Sequence, residues 1–424
     1  MKEFIFKSLK IFFSIVILGT LLMIGVYMLP TNRVENNVRK STETLASEGD
    51  YKELISGDIT TMLDNYTDSI MINEAMYHGE ESVINKAMMV YKYASDINDG
   101  QPIEGLVDYF DEDRTTHSSS YERYWHGYLV FIKPLLMVLD INGIRYINSF
   151  IQLALIATVS ILFVKKKKEN FLVPYLITIF MTTPMTVGMS LQLSTIFYIM
   201  NISLLIMLLY DDKIRSNNNY IYFFLIVGMI TSYFDFLTYP IASLGLPLIL
   251  YFVLKNNDSF KDNFIDLVKN SFMWACGYFG MWASKFIIGT VLTGTNVFKS
   301  AFNAVELRTS HEAYGMSIKR MDAVERNLDC ILNKPFIIVF ILGLLFVGYL
   351  FYKNRKEFNK NHLLKLIPFI LIGCMPLAWY YILSNHSFVH SFLSYRGLVV
   401  LVFGILCGLV LIAGGNNETK KKRK

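Results

Sequence analysis

An acidic pair near the amino-terminal end of the chain is the first candidate for chemistry. Asp64 and Asp68 are four residues apart, so in a helix both carboxylates lie on one face, with Asn65 beside them. Neighbouring carboxylates raise each other's pKa, which suits one of them as a general base, and together they can hold a divalent cation. We predict Asp64 and Asp68 as catalytic residues and Asn65 as a substrate contact. The alternative is a solvated helix face in an acidic loop.

A second polar group is interleaved with aromatic side chains just before an apolar stretch. Glu122, Arg123 and His126 occupy segment 121–128, which also contains three tyrosines and one tryptophan. Arginine binds phosphate through paired hydrogen bonds, and the other two side chains can contact an acceptor hydroxyl. We predict all three as substrate-binding residues. Because aromatic residues also anchor proteins at membrane surfaces, a purely anchoring segment is the alternative.

A lone carboxylate, Asp235, stands between two apolar runs. A charged side chain at membrane depth costs about 3 kcal/mol on insertion scales, so it usually faces a partner or a water-filled cavity. We therefore predict that Asp235 binds substrate. The alternative is an ordinary external turn over residues 233–240, in which this carboxylate is solvated.

The last polar group precedes the final apolar run. His386 and His390 are four residues apart, and Arg396 follows them. We predict all three as substrate-binding residues, with Arg396 as a bidentate phosphate ligand. Two histidines at this spacing can also bind metal, but no third ligand follows nearby, so we assign no metal site. Motifs typical of P-loop proteins, serine hydrolases, zinc proteases and dinucleotide-binding enzymes do not occur.

Apolar helices must position these groups. Hydrophobic residues make up 53% of the 424 residues and charged residues 18%, whereas soluble domains have about 45–50% and about 25%. The composition excludes a soluble enzyme, a disordered chain and a disulfide-stapled secreted domain. It predicts an all-α polytopic membrane protein with about ten transmembrane helices, each long enough for a ~30 Å hydrocarbon core. The ten apolar blocks are 11–29, 144–164, 171–188, 191–210, 219–236, 239–254, 268–290, 335–352, 364–383 and 395–413.

The distribution of charge predicts the orientation in the membrane. Short basic segments alternate with the spans, at 165–170, 211–218, 255–263, 353–363 and in the tail. Because cytoplasmic loops carry such an excess of Lys and Arg, we expect both termini in the cytoplasm and an uncleaved first helix. Residues 31–127 contain 8 Lys/Arg against 19 Asp/Glu, a net charge of −11, while the rest of the chain carries +16. The acidic segment is therefore predicted to lie outside.

These spans divide the chain into six predicted parts. The parts are a cytoplasmic amino terminus with the first transmembrane helix (1–29), an acidic extracytoplasmic segment with interfacial helices (30–143), transmembrane helices two to seven (144–290), an extracytoplasmic amphipathic loop (291–334), transmembrane helices eight to ten (335–413) and a basic cytoplasmic tail (414–424). Within the second part, residues 128–140 are predicted to form an amphipathic or re-entrant stretch. Within the fourth part, residues 312–326 are predicted to form a helix on the membrane surface.

This layout resembles the GT-C class of integral-membrane glycosyltransferases, which have acidic residues in a large first external loop. The segments Arg-Tyr-Trp-His-Gly, Phe-Asp-Phe-Leu-Thr-Tyr-Pro and Asn-His-Ser-x-x-His are also similar to uncharacterised Gram-positive membrane proteins of surface-polysaccharide loci. The resemblance implies an inverting glycosyltransferase in a Gram-positive plasma membrane. It would move a sugar from a polyprenyl-phosphate-linked donor to a cell-surface glycan or lipid acceptor. Asp64 or Asp68 would be the base, and Arg396 or Arg123 would hold the donor phosphate.

Other functions stay open at this point. A transporter or flippase of lipid-linked saccharides would need polar groups along a path across the bilayer. A polysaccharide polymerase or ligase would join two lipid-linked glycans, and a non-catalytic assembly subunit would share their location. The expected partners are membrane lipid, a polyprenyl-linked sugar donor and a glycan or lipid acceptor, without nucleic acid. No cofactor is assigned, and a divalent cation is the alternative.

Overall fold

The computed structural model describes residues 2–98, 100–355 and 360–414. Residues 415–424, which hold all of the lysines and the arginine of the predicted basic tail, lie outside these described residues, as does the middle of the basic loop at 356–359. In the described part of the chain, regular structure is almost entirely helical, and the strands form two short hairpins. This confirms the predicted all-α class.

The amino-terminal part consists of one long helix and a segment of shorter elements, which we call the outer segment after its predicted location. The hairpin of this segment is antiparallel, with Tyr91 opposite Ser120. The elements are α1 (Lys2–Met28), α2 (Glu35–Glu48), α3 (Asn65–Met76), α4 (Val83–Met89), β1 (Tyr91–Ser95), α5 (Pro102–Phe110), β2 (Thr116–Ser120) and α6 (Leu129–Leu136).

The rest of the chain alternates long helices with a second outer segment. The middle helices are α7 (Ile141–Lys165), α8 (Leu172–Met181), α9 (Pro184–Met189), α10 (Leu191–Ser216), α11 (Tyr220–Phe234), α12 (Ile241–Lys255) and α13 (Phe260–Thr293). The second outer segment contains α14 (Val297–Arg308), β3 (Glu312–Ala313), β4 (Met316–Ser317) and α15 (Arg320–Ile331). The chain continues through α16 (Lys334–Lys353), α17 (Leu366–Ile382), α18 (Ser384–Val389), α19 (Ser391–Ser394) and α20 (Val399–Ile412).

Seven helical segments of the described chain are long and apolar enough to cross a membrane, as expected for a polytopic membrane protein. They are α1, α7, α10, α13, α16 and the segments Leu363–Ile382 and Ser391–Ile412. Three shorter apolar helices coincide with the other three predicted spans, at Glu169–Met181, Tyr220–Phe234 and Ile241–Lys255. The count of ten spans and the cytoplasmic location of both termini stay predictions.

Helices α11 and α13 pack closely because each places a glycine against the other's backbone. A Cβ atom at Gly228 would lie 2.1 Å from the carbonyl oxygen of Trp274, and one at Gly277 would lie 2.1 Å from that of Leu225. Only glycine is compatible with this approach. The pair forms a fixed wall to which the outer segments attach.

The helix predicted over 312–326 begins only at Arg320, so that prediction is wrong in its first half. Residues 312–317 form the β3–β4 hairpin instead. The reason is a two-residue turn in which Tyr314 has φ 52° and Gly315 has φ 74°. Two consecutive positive φ angles are the signature of a tight hairpin turn and cannot continue a helix.

Candidate functional site

The predicted acidic pair lies at two helix ends. Asp64 precedes α3, and its Oδ1 accepts a hydrogen bond from the Thr67 N–H at 3.1 Å. Asp68 lies one turn further along, and its two carboxylate oxygens accept from the N–H groups of Leu191 and Gln192 at 3.0 Å. These are among the first N–H groups of α10, which have no partner within their own helix. Asp68 therefore caps α10 and joins it to α3.

Both carboxyl groups are buried, at 2% exposure or less. Burial raises the pKa of Asp64 to about 7, and the neighbouring Asp68 charge adds to the rise. Burial also raises the pKa of Asp68, to about 6, although Arg145 and the α10 amides oppose it. A carboxyl group that titrates near neutrality suits a general base, but both oxygens of Asp68 are already occupied. The catalytic roles of the pair stay predictions.

Asn65 belongs to a buried polar cluster that connects α2, α3 and α7. Its Nδ2 donates to Glu48 Oε2 at 3.1 Å, and its Oδ1 accepts from the Arg145 guanidinium at 2.8 Å. Arg145 completes the cluster with an ion pair to Glu48 at 3.0 Å. With its amide engaged at both ends, Asn65 supports the position of α3.

Segment 121–128 is attached to the α11–α13 wall. The Trp125 indole donates to the Met281 carbonyl at 2.7 Å, and the Trp282 indole donates to the Arg123 carbonyl at 3.1 Å. These bonds hold the backbone on both sides of Tyr124. They leave the Arg123 side chain to face a cavity, where its Nε is buried without a hydrogen-bond partner among the described residues.

His126 lies in the interior instead of the cavity. Its Nε2 donates to the Tyr121 carbonyl at 2.6 Å, and its Nδ1 lies 3.1 Å from Glu74 Oε2 and 2.7 Å from the Tyr128 hydroxyl. The residue is 1% exposed and has φ 54°, a strained angle that the surrounding bonds maintain. The structure thus gives His126 a role in fixing the segment that carries Arg123.

Asp235 forms the turn between α11 and α12, where it accepts from the Thr238 N–H at 3.0 Å and from the Thr238 hydroxyl. Leu237 in this turn has φ 66°, and His386 Nε2 donates to its carbonyl at 2.7 Å. Asp235 is buried at 5% exposure, so the solvated turn considered as an alternative is wrong. Asp235 and His386 therefore stabilise the same turn, Asp235 through Thr238 and His386 through Leu237.

His390 contacts an arginine that the sequence did not single out. Arg308 Nη1 donates to His390 Nε2 at 3.3 Å, and the His390 ring lies 4.8 Å from that of His386. Burial, together with the Arg308 charge, lowers the pKa of His390 to about 3 and also lowers that of His386. Both imidazoles are therefore neutral at physiological pH, so His390 can accept from the guanidinium.

Arg396 is fully buried and engaged with backbone oxygens. Its guanidinium donates to the carbonyls of Thr182 at 2.8 Å, Phe392 at 2.8 Å and Thr60 at 3.0 Å, and to the Thr183 hydroxyl at 3.0 Å. It connects the start of α20 with the α8–α9 junction and the outer segment. These partners leave the guanidinium no open face for a phosphate.

Two cavities lie on either side of the Arg308–His390 contact. The first, of about 420 Å³, is lined by Arg123, Lys299 and Arg308 together with Glu122, and we call it the cationic cavity. The second, of about 290 Å³, is the aromatic cavity, whose lining includes Tyr51, Tyr314, Arg326, His390 and Phe392. Glu122 accepts from the Ser120 hydroxyl at 2.9 Å and offsets one of the three cations. The cationic cavity is therefore net positive and suits an anion.

Tyr66 lies within electrostatic reach of both the acidic and the basic groups. Burial raises its pKa, Asp50 and Asp64 raise it further, and Arg308 lowers it. Asp50 precedes Tyr51, which lines the aromatic cavity. The Asp50 carboxylate is partly exposed and forms no ion pair or side-chain hydrogen bond within the described residues, and burial raises its pKa. Asp50 is therefore more accessible than the buried Asp64 and Asp68.

Sequence reasoning missed Arg308, Lys299 and Asp50. Arg308 and Lys299 lie in the twelve-residue helix α14, where two basic residues in an otherwise largely apolar segment were the available signal. Asp50 had no such signal, because it is one of many acids in its segment. The described residues include no group of three or more His, Cys, Asp or Glu side chains that could hold a metal ion.

The raised pKa values predict how stability depends on pH. The folded state binds the Asp64 proton more tightly than the unfolded state, so this stabilisation is present at low pH and is lost as the pH rises through about 7. We expect the Asp64 contribution to the free energy of unfolding to fall by roughly 1 kcal/mol between pH 6.5 and 8. The lowered histidine pKa values act in the opposite direction, but only below about pH 6.5.

Thermal unfolding of the purified protein at the two pH values measures this change. Asp64→Asn should remove the Asp64 contribution, so its pH dependence should differ from that of wild type by roughly 1 kcal/mol, whereas Asp113→Asn, at an exposed turn, should behave as wild type. An equal pH dependence in wild type and Asp64→Asn would contradict the assignment.

No family model matches the chain, and no curated protein or solved structure is detectably similar to it.

Proposed function

We propose that this protein is a membrane glycosyltransferase that moves a sugar from a polyprenyl-phosphate-linked donor to a glycan or lipid acceptor on the extracytoplasmic face. The observation that supports the proposal is the arrangement around Arg308. This residue lines the net positive cavity and donates to His390, which lines the aromatic cavity together with Tyr51, the neighbour of Asp50 in the chain. A group that can bind phosphate is thus connected through His390 to the cavity that contains the neighbour of a candidate base.

The proposed reaction is a displacement at the anomeric carbon of the donor sugar. The acceptor hydroxyl attacks this carbon while a carboxylate takes its proton, and the bond from the anomeric carbon to the phosphate oxygen breaks. The lipid phosphate leaves with the bonding electrons, and attack from the opposite side inverts the sugar centre. Arg308, Arg123 and Lys299 stabilise the charge that develops on the leaving phosphate.

We assign the base to Asp50 in preference to the two predicted aspartates. Asp68 uses both oxygens to cap α10, and Asp64 is buried and caps α3. Asp50 is partly exposed, and its neighbour in the chain, Tyr51, lines the aromatic cavity. Its carboxylate can accept a proton without first breaking a side-chain hydrogen bond to the described residues. Burial raises its pKa, and a higher pKa makes the carboxylate a stronger base at neutral pH.

The phosphate ligands also differ from those expected. Arg123 retains its predicted role, because it lines the cationic cavity. Arg308 takes the role predicted for Arg396, whose guanidinium is saturated by carbonyls. Asp235 stabilises the turn to which His386 is hydrogen-bonded, and the His386 ring packs against the His390 ring. Both residues therefore position the site without touching the phosphate.

The test is sugar transfer by purified protein in phosphatidylcholine nanodiscs, with radiolabelled polyprenyl-phosphate sugars and a panel of glycan acceptors. We expect Asp50→Asn to lower kcat by about 100-fold or more, as loss of a general base does. Asp113→Asn is the matched control, because it removes an exposed carboxylate of the same outer segment. Asp64→Asn should retain more activity than Asp50→Asn.

Full activity of Asp50→Asn together with loss of activity in Asp64→Asn would assign the role of general base to Asp64. Full activity in both variants would exclude Asp50 and Asp64 as the base. Movement of the lipid-linked sugar across the bilayer without transfer would favour the flippase alternative over the enzyme.

A further inference from the structure

Helix α14 has two opposite faces, and only one of them contacts the protein's own cavity. At 3.6 residues per turn, Lys299, Asn303 and Leu307 follow one side, which lines the cationic cavity. Phe298, Phe302 and Val305 follow the other side and are 37%, 69% and 40% exposed. An apolar stripe left open beside a basic one is typical of a helix that lies in a membrane interface.

The position of α14 matches this pattern. After α13 the chain turns back, so that Val297 packs against Gly289 and Phe298 lies 5.8 Å from Phe286. On the same two turns of α13, Ile287 and Val291 are exposed at 55% and 76%. Exposed apolar side chains on a membrane helix face lipid, so α14 lies at the level of the acyl chains and headgroups of the outer leaflet.

We propose that α14 lies in the outer leaflet with its phenylalanines among the acyl chains, and that a lipid phosphate enters the cationic cavity sideways from that leaflet. Its polar face then presents Lys299 and Arg308 at headgroup depth, opposite Arg123. The identification of this lipid as a polyprenyl phosphate rests on the proposed function. The leaflet contact and the phosphate site stand on the geometry of α14.

Three observations select a lipid phosphate over other occupants. The cavity is net positive, and its one carboxylate, Glu122, accepts a hydrogen bond from Ser120. The Nε of Arg123 has no hydrogen-bond partner among the described residues. It borders the apolar stripe directly, because one helix supplies both faces. A phosphate carried on a hydrocarbon chain satisfies both surfaces at once, whereas free phosphate satisfies only the first.

The leaflet contact is tested by photocrosslinking in phosphatidylcholine nanodiscs. The photoreactive aromatic residue benzoylphenylalanine replaces Phe302 in one sample and the exposed Asp113 in the control, and the protein is analysed by mass spectrometry after irradiation. We expect at least roughly tenfold more lipid adduct at position 302 than at position 113. Equal adduct levels would overturn the proposal, as would crosslinking of position 302 mainly to a second copy of the chain.

The phosphate site is tested by binding of polyprenyl phosphate, incorporated at increasing fractions in the same nanodiscs, and of inorganic phosphate added to the solution. Lys299→Gln should weaken polyprenyl phosphate binding roughly tenfold, the size expected for one charge-assisted hydrogen bond. Lys334→Gln is the matched control, because Lys334 is exposed at the start of α16 and lines neither cavity. Phe302→Ser should weaken lipid binding without changing the affinity for inorganic phosphate.

Equal binding by wild type and Lys299→Gln would overturn the phosphate site. Tighter binding of inorganic phosphate than of polyprenyl phosphate would overturn its lipid character. Neither result requires sugar transfer, so the two proposals can fail separately. Lipid adducts and lipid phosphate binding without any transfer would leave this inference standing and reject the glycosyltransferase.

Discussion

Arg308→Gln is expected to lower kcat for sugar transfer by about 100-fold or more while the protein stays folded. The variant loses the guanidinium that lines the cationic cavity and donates to His390. Removal of one preorganised group that stabilises developing negative charge costs about 10²–10³ in rate. Arg308 is partly exposed, so its loss leaves no buried charge unpaired.

Reconstituted transfer assays should compare Arg308→Gln with Arg320→Gln. Arg320 lies on the same outer face, contacts the Tyr381 ring and lines neither cavity, so its variant controls for loss of external charge. Arg308→Lys retains the charge without the planar fork and should recover part of the rate.

A second measurement separates the electrostatic role of Arg308 from a structural one. Because Arg308 contributes to the low pKa of His390, this pKa should rise in Arg308→Gln and stay low in Arg308→Lys. Histidine NMR signals followed against pH report this change. Wild-type turnover by the Arg308→Gln variant would show that Arg308 does not belong to the site.

The second large effect is on stability. Arg396→Met should lower the free energy of unfolding by about 3–5 kcal/mol, or prevent accumulation of folded protein. The substitution removes the Arg396 donor from the buried carbonyls of Thr182 and Phe392, whereas the Thr60 carbonyl keeps the Thr183 and Tyr395 hydroxyls. Each buried group left unsatisfied costs about 1–3 kcal/mol, and a methionine supplies no hydrogen bond in return.

Thermal or denaturant unfolding in detergent measures the loss, with Arg320→Met as the matched control. Arg320 makes a ring contact at 5.4 Å instead of a buried network, so its variant should lose less than about 1 kcal/mol. A folded Arg396→Met protein that fails to bind polyprenyl phosphate would restore the phosphate role predicted from the sequence. Normal lipid binding in whatever folded protein remains would support a structural role.

The predicted apolar segments are helical in the structure because hydropathy is a property of neighbouring residues in the sequence. Each consists of consecutive apolar residues, and seven of the ten coincide with helical segments long enough to cross a membrane. The remaining three coincide with shorter apolar helices, in which the observed ends differ from the expected ones. At 171–188 the reason is an interruption at Thr183, where a positive φ of 53° separates α8 from α9.

The predicted site residues fall into two groups in the structure. Glu122, Arg123 and His390 line the two cavities. His386 contacts the His390 ring and is hydrogen-bonded to the turn that Asp235 forms. His126, Asn65 and Asp68 instead have partners that hold helices together. These roles could not be separated beforehand, because a polar residue near an apolar run looks the same whether it caps a helix or faces a cavity.

By itself, the sequence determined the helical class, the positions of the apolar segments and the concentration of polar groups around them. Hydropathy and charge are properties of consecutive residues, so they can be read without knowing the fold. Only the tertiary structure decided which of those groups are free to act. The amides that occupy Asp68 lie more than 120 positions further along the chain, and the Thr60 carbonyl that occupies Arg396 lies 336 positions before it. Hydrogen-bond partners at such separations are assigned by packing, and packing turned Arg308, instead of Arg396, towards the cavity.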